Sequence, residues 1–234
     1  MSIANRCARA TLLLCLLAGP AAAGPAAAAV SPGQSPEVIR YRWRLQGIRG
    51  VLAGMFLPNQ GNGSLTTAAG ADGNLTSELL ITAPSSRNGE FWRYGAELDP
   101  QARTTVRAWS SYLFRGEKKS RQSDLAGQNV MDVASGIYLL RQSPPTVATP
   151  MRIWSDGKIY AVTAIPRGIE QRGSGRHARR VRHISIVAAP QPGKTLWKGR
   201  MELWLSDDEA ATPVEILIER SWAGVRLEME PSRG

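Results

Sequence analysis

The stretch from Gly199 to Glu230, GRMELWLSDDEAATPVEILIERSWAGVRLEME, decides the fold class. Three runs within it alternate apolar and polar side chains, with the apolar sets Met201, Leu203 and Leu205, then Val214, Ile216 and Ile218, then Val225, Leu227 and Met229. A period of two residues places one face of a strand against a core and the other in water. Because short linkers join the runs, the stretch predicts an antiparallel meander. We expect Leu203, Ile216 and Leu227 to face one common core.

The same alternation recurs through most of the preceding chain. It marks further strands at Ile39–Leu45, Val51–Leu57, Leu75–Ile81, Trp92–Leu98 and Val106–Phe114, and a returning strand at His183–Val187. Residues 151–165 predict a hairpin, because an Asp-Gly pair at its centre supplies the positive φ angles of a tight turn. Residues 59–73 and 115–129 lack the pattern and are predicted as loops.

One short helix is predicted between Asp132 and Pro144. Val133, Ile137 and Leu140 recur at helical spacing. The Asp132 carboxylate can accept a backbone N–H of the first turn, and proline ends the helix. The chain is therefore expected to be mainly β, with a single helix.

Residues 1–29 have the composition of a secretory signal peptide. Two arginines precede the apolar run Ala10–Ala18, and small residues permit cleavage after Ala23 or after Ala29. The apolar run is shorter than the roughly 20 residues of a membrane-spanning helix, so the exported chain is expected to have no transmembrane span. The alternative is an uncleaved anchor, because no charge lies between Ala10 and Val30.

Cysteine usage limits the chemistry of the exported chain. Cys7 and Cys15 both lie in the predicted signal peptide, and Leu14 is not the small residue that lipoprotein processing needs before a cysteine. The mature protein is therefore predicted to have no disulfide or thiolate metal site and not to be a lipoprotein. Residues 30–37 are predicted as a flexible lead-in and residues 38–230 as one periplasmic domain.

Positive charge is concentrated in one segment of a chain whose formal net charge is +10. Residues 167–183 contain one acid, Glu170, and six arginines, which are Arg167, Arg172, Arg176, Arg179, Arg180 and Arg182. Export argues against nucleic acid as a partner. We therefore expect this segment, predicted as a long basic loop near 166–182, to contact an anionic envelope surface or polymer. The alternative is a solvated loop without a partner.

The helix and the C-terminal strands resemble the bacterial domain of unknown function 3108 family. The resemblance lies in Asp132–Arg141 (DVASGIYLLR), Lys198–Asp208 (KGRMELWLSDD), Pro213–Val214 and Gly224–Glu228, and in Tyr41, Gly47 and Gly50. It implies a periplasmic or envelope protein with a curved antiparallel sheet. The implied fold is a half-open β-barrel that wraps one short helix, similar in outline to lipoprotein carriers. No activity comes with the family, and fold does not imply function.

Five side chains are candidates for ligand binding: Tyr138 and Arg141 on the helix, Trp204 on a strand, and Asp207 and Asp208 after that strand. Trp204 lines a groove if its strand face is solvated, and belongs to a second buried layer if it is not. Adjacent aspartates point to opposite sides of an extended chain, so turn hydrogen bonding is their simpler role. A helix-end charge that complements the helix dipole is the simpler role of Arg141.

The chain contains no recognisable catalytic constellation. His177 and His183 are its only histidines and lie among arginines, where a metal cation is repelled, so neither a metal nor a cofactor is predicted. The leading hypothesis is a non-enzymatic envelope protein that binds or carries a lipid or other amphiphile on the concave face of the sheet. The alternatives are a structural or protein-interaction factor with a packed barrel and, more remotely, a carboxylate-dependent glycan hydrolase.

Overall fold

The computed structural model describes residues 35–46, 58–70, 72–83, 89–173, 178–190, 196–220 and 223–231. The predicted signal peptide and most of the predicted lead-in lie outside these ranges. So do the predicted strand Val51–Leu57, the turn residues Gly47 and Gly50, and Arg176 and His177.

Twelve strands of the described residues form one antiparallel sheet. In chain order they are β1 (Glu37–Gln46), β2 (Gln60–Ala69), β3 (Leu75–Thr82), β4 (Phe91–Asp99), β5 (Thr104–Phe114), β6 (Glu117–Asp124), β7 (Thr149–Ser155), β8 (Lys158–Arg172), β9 (Arg179–Ala188), β10 (Gly199–Ser206), β11 (Pro213–Arg220) and β12 (Ala223–Met229). The sheet order is β6-β5-β4-β3-β2-β1-β12-β11-β10-β9-β8-β7. Two six-stranded meanders therefore join where β1 pairs with β12.

The helix α1 (Val133–Gln142) connects the two meanders and packs inside the curve of the sheet, against β3, β4 and β7. Asp132 accepts hydrogen bonds from the backbone N–H groups of Ala134 and Ser135, at 3.2 and 2.7 Å. The Ser135 hydroxyl in turn accepts the N–H of Asp132, which completes a capping box. The predicted helix and its cap are confirmed. Across the described ranges, no helix has the length and apolar character needed to cross a membrane.

The two edge strands, β6 and β7, approach each other at a seam that is closed by side chains and by backbone hydrogen bonds from Met131 to β7. Trp154 Nε1 on β7 donates to Ser123 Oγ on β6 at 2.9 Å. The hydroxyl of Ser110 on β5 donates to Asp156, in the turn after β7, at 3.2 Å. Because no backbone ladder joins β6 to β7 in the described residues, the sheet is a half-open barrel, as predicted.

The inner face of both meanders packs into one core around α1. Leu203, Ile216 and Leu227 are each 0% exposed, and Ile216 is the direct cross-strand neighbour of the other two. Tyr41 and Leu79 of the first meander and Ile137 of α1 belong to the same apolar cluster. The common core predicted for the C-terminal strands is confirmed.

The prediction of a loop over residues 59–73 is wrong, because most of that segment is β2. The inner face of β2 carries glycines where a core strand normally carries large side chains. A Cβ atom on Gly61 would lie 2.6 Å from Trp43 Nε1, and one on Gly63 would lie 2.9 Å from Leu227 Cδ2. The missing side chains leave room for large neighbours, so apolar alternation is absent from β2 itself.

Two further predicted loops are also strands. Residues 115–129 contain β6, an edge strand whose side chains are almost all exposed. Charged edge strands are common because they discourage pairing with other chains, and they lack the apolar period by which strands are found. The basic segment near 166–182 is mostly the paired ends of β8 and β9. Its β8 half extends past the end of β7, because the pairing of β8 with β7 stops at Ala164, whereas its β9 half is paired with β10 over Val181–His183.

Candidate functional site

A cavity of about 700 Å³ lies beside the C-terminal half of α1. Its apolar wall is formed by Leu139 and Leu140 of α1, Met151 of β7 and Val162 of β8. The remaining described lining residues are Arg103, Asn129, Met131, Ser143, Pro144, Pro145, Thr146, Val147, Thr149, Pro150, Arg152, Ala161, Ala189 and Pro190. Small-molecule sites in proteins typically enclose about 300–1,000 Å³, so this cavity has the size of a ligand site.

The chain between α1 and β7 forms one side of the cavity because its prolines stop regular structure. Pro144 and Pro145 follow Ser143, the C-cap of the helix, and a proline ring blocks both a helical hydrogen bond and a strand hydrogen bond. Val147 in this connection is 68% exposed although it lines the cavity. An apolar side chain is therefore presented at the opening.

Two arginines line the cavity beside its apolar wall. Arg152 donates from Nη1 to the carbonyl oxygen of Gln128 at 2.9 Å, which orients its guanidinium. Arg103 ends the turn after β4, in which Asp99 accepts the N–H groups of Gln101 and Ala102. Among the described residues, neither arginine forms an ion pair. The arrangement can hold an apolar chain and place a polar group beside positive charge.

The two helix residues predicted to bind ligand, Tyr138 and Arg141, are buried and lie outside the described cavity lining. Tyr138 packs with Leu75 and Leu98, and burial raises the pKa of its phenol despite the opposing charge of Arg141. Arg141 donates from both Nη atoms to the Glu37 carboxylate, at 2.7 and 2.9 Å, and to the carbonyl oxygen of Ala210 at 3.2 Å. Arg141 therefore ties the end of α1 to β1 and to the loop after β10.

Trp204 belongs to a second buried layer on the outer face of β10, which was the alternative to a groove. It is 3% exposed. The ring of His183 stacks on it with centroids 4.5 Å apart, and the Arg172 guanidinium lies 4.2 Å from its ring. Its Nε1 donates to Glu170 at 2.5 Å. The indole N–H therefore has its hydrogen-bond acceptor within the protein.

Two acids that the sequence pattern placed in water lie in this outer layer. Glu202 accepts hydrogen bonds from Ser185 and His183 and pairs with Arg200. Burial alone would raise the pKa of Glu202, but these hydrogen bonds and the Arg200 charge outweigh it and leave the pKa below its ordinary value. For Glu215, burial raises the pKa above the ordinary value although Arg226 pairs with it.

Asp207 and Asp208 bind separate partners and do not converge. Asp207 pairs with Arg182 and Arg180 at 2.8 and 3.1 Å. Asp208 accepts the hydroxyl of Ser206 and the N–H of Ala211, which shapes the turn between β10 and β11. The structure therefore does not bring the five predicted ligand-binding residues into one site.

Nearby acids neutralise part of the charge of the basic hairpin, defined here as residues 166–173 and 178–183. Arg180 and Arg182 share Asp207, and Arg172 pairs with Glu170 at 3.0 Å and with Glu215 at 3.8 Å. Arg167 and Arg179 are exposed and form no ion pair among the described residues. Among the predicted arginines that the structure describes, these two are without an acidic partner and are available to an outside partner.

The residues that line the cavity were missed by sequence reasoning. They come from five separate parts of the chain, between Arg103 and Pro190, and share no motif. The only local signal was the Pro144–Pro145 pair, which was interpreted as a helix end.

Comparison with known proteins supports the fold. No family model matches the chain, and no curated protein matches it, so the resemblance to the domain of unknown function 3108 family stays a prediction. A β-barrel-like protein of domain of unknown function DUF1849 from Brucella abortus is similar, with a TM-score of 0.56 and 10% identity over 83% of this chain and 95% of that one. The lipoprotein LppX from Mycobacterium tuberculosis aligns with a TM-score of 0.30 and 14% identity, over 82% of this chain and 84% of that one. The chain is thus similar in fold to the β-barrel-like protein of Brucella abortus.

Proposed function

We propose that this protein is a non-enzymatic periplasmic binding module that holds the apolar part of a lipid or other amphiphilic envelope component. The observation that carries the proposal is the cavity beside α1, in which Leu139, Leu140, Met151 and Val162 form an apolar wall in an otherwise packed half-open barrel. Concave apolar sites with a few polar groups are the usual form of small-molecule sites. The periplasmic location rests on the predicted signal peptide.

The size of the cavity sets an expected affinity. Each buried methylene group contributes about 0.8 kcal/mol, so ten of them contribute roughly 8 kcal/mol before the losses of association. A dissociation constant near 1 μM corresponds to about 8 kcal/mol. We therefore expect a medium-length acyl chain to bind with a dissociation constant in the micromolar range or weaker.

The test compares two exposed valines. Val147 lines the cavity and is 68% exposed, whereas Val38 on β1 is 45% exposed and lies outside the described lining. Val147→Glu introduces a charge beside the apolar wall without disturbing the core, and Val38→Glu is the matched control. Native mass spectrometry of the purified proteins should show a bound lipid in the wild type and the Val38 variant and much less in the Val147 variant. Identical spectra without any bound lipid would contradict the proposal.

A structural or protein-interaction factor is the second candidate, and the packed interior favours it. Tyr41, Leu79, Ile137 and Leu203 fill the inner face and are each 0% exposed, so the cavity does not continue through the centre of the barrel. Under this function, native mass spectrometry shows the bare protein mass for all three proteins.

The periplasmic location has its own test. N-terminal sequencing of the protein from a periplasmic extract should give a start directly after Ala23 or after Ala29. A chain that still begins at Met1 or Ser2 would contradict the signal-peptide prediction.

A further inference from the structure

We infer that the cavity beside α1 selects an amphiphile with an anionic head, a carboxylate or a phosphate, which Arg103 and Arg152 recognise. The inference rests on the proposed function and adds to it the charge of the ligand. It comes from the distribution of charge around the cavity, from the N–H donors that the two arginines have available, and from the cost of leaving them without a partner.

The charge around the cavity is of one sign. The described lining residues include two arginines and no aspartate or glutamate. Elsewhere on this sheet, arginines commonly have acidic partners, as Arg44 has Glu228, Arg93 has Glu78 and Arg226 has Glu215. The lining of the cavity departs from that pairing, which leaves a local positive potential beside an apolar wall.

Both arginines have N–H donors available to an outside acceptor. Arg152 uses Nη1 for the Gln128 carbonyl oxygen, at 2.9 Å, and a guanidinium has further N–H groups for a second acceptor. Arg103 has an exposed side chain on a short turn. Guanidinium groups match carboxylate and phosphate oxygens in geometry and charge, so each of these arginines suits either head group.

A neutral or cationic head would fit this lining poorly. Closing the cavity with a ligand removes water from the guanidinium groups, and a charge that loses water without gaining a partner is unfavourable. An anionic head replaces the lost hydration with charge-assisted hydrogen bonds. The expected preference for an anionic over a neutral head is about tenfold or more.

Four probes with the same ten-carbon tail test the inference: decyl phosphate, decanoate, decanol and decylammonium. Isothermal titration calorimetry below their micelle concentrations should show both anions binding at least about tenfold more tightly than decanol, and decylammonium binding most weakly. In the double variant Arg103→Gln/Arg152→Gln, decanol binding should persist while the preference for the anions disappears. The ratio between decyl phosphate and decanoate then separates the two kinds of anionic head.

The matched control is the double variant Arg40→Gln/Arg167→Gln. It removes the same charge from exposed arginines outside the cavity lining, and it should keep the anion preference. The single variant Arg103→Gln is the control for a folding defect in the double variant. It should fold normally, because the exposed Arg103 side chain forms no hydrogen bond within the described ranges. It should lose part of the preference while circular dichroism stays unchanged.

The outcomes separate this inference from the proposed function. Equal binding of decanol and the anions, or an anion preference that survives in the Arg103/Arg152 variant, overturns the head-group inference and leaves the proposed function standing. If none of the four probes binds the wild type, both fail.

Discussion

The two meanders share one core but differ on their outer faces. On β3 and β4 the outer acids and arginines are partly exposed, as in the Glu78–Arg93 pair, whose side chains are 28% and 45% exposed. On β10 and β11 the outer face is a buried layer in which the Glu202 side chain is 4% exposed. The same alternation of apolar and charged residues therefore produces a solvated face in one meander and a second buried layer in the other.

The difference follows from what covers each face. On the β8 side of the basic hairpin, Glu170 and Arg172 lie against Trp204, and Arg226 of β12 approaches the same ring at 5.8 Å. Long arginine stems cover apolar surface while their charged ends find acids. Polar strand positions therefore become buried where a neighbouring strand pair is long enough to extend over them.

The largest expected effect concerns the apolar core that the two meanders share. Ile216→Ala in the second meander and Leu79→Ala in the first should each lower the free energy of unfolding by about 2–5 kcal/mol, because both side chains are fully buried in one core. Urea unfolding measures the loss, and Ile159→Ala, at a position that is 39% exposed, is the control. An Ile216→Ala variant as stable as the wild type would contradict the meander.

The next effect should separate the two outer faces. Glu202→Gln leaves the buried Ser185 and the His183 ring without their charged acceptor and should cost about 1–3 kcal/mol. Glu78→Gln breaks a partly exposed pair and should cost about 0–1 kcal/mol. Equal losses for the two variants in urea unfolding would remove the distinction between the faces.

The basic hairpin offers a comparison within the second meander. Arg167→Ser/Arg179→Ser removes exposed charge beside Ile169, which is 54% exposed, and should weaken binding to vesicles of anionic phosphatidylglycerol about tenfold. Arg180→Ser/Arg182→Ser removes arginines that Asp207 already neutralises, so it should weaken binding less. Cosedimentation at low and high salt, with neutral vesicles as control, measures both variants. Equal binding of both variants and the wild type to the anionic vesicles would contradict a role of the hairpin in contacting an anionic membrane.

The smallest expected effect is a difference in pH dependence within the outer layer. The pKa of Glu202 is lowered by folding, so its contribution is present at neutral pH and is lost as pH falls through its folded pKa. The pKa of Glu215 is raised, so protonation relieves a cost and the wild type gains stability as pH falls through that higher pKa. As pH falls, the free energy of unfolding of Glu202→Gln should approach that of the wild type. Over the same range, the free energy of unfolding of Glu215→Gln should decrease relative to that of the wild type. Slopes of the same sign in urea unfolding between about pH 6 and 3 would contradict this reading of the layer.

Sequence periodicity was sufficient where each strand carries its own apolar side chains. The strands around Leu203, Ile216 and Leu227, the Asp156–Gly157 turn and the Asp132 cap are local patterns, and the structure has them where the sequence predicts them. It was insufficient for β2 and β6, because a glycine under Trp43 and a charged edge strand carry no apolar period.

The amino-acid sequence by itself determined the mainly β character of the chain, the capped helix after β6 and the excess of arginine near the hairpin, because these depend on neighbours in the chain. Only the tertiary structure decided that Trp204 is buried under Arg172, and that Arg103, Asn129, Leu140 and Arg152 line one cavity. The cavity residues come from separate parts of the chain and meet where the chain before α1 contacts β7, through the Met131–Ile153 bridge and the Arg152–Gln128 hydrogen bond. These contacts between distant segments, rather than any local motif, create the candidate site.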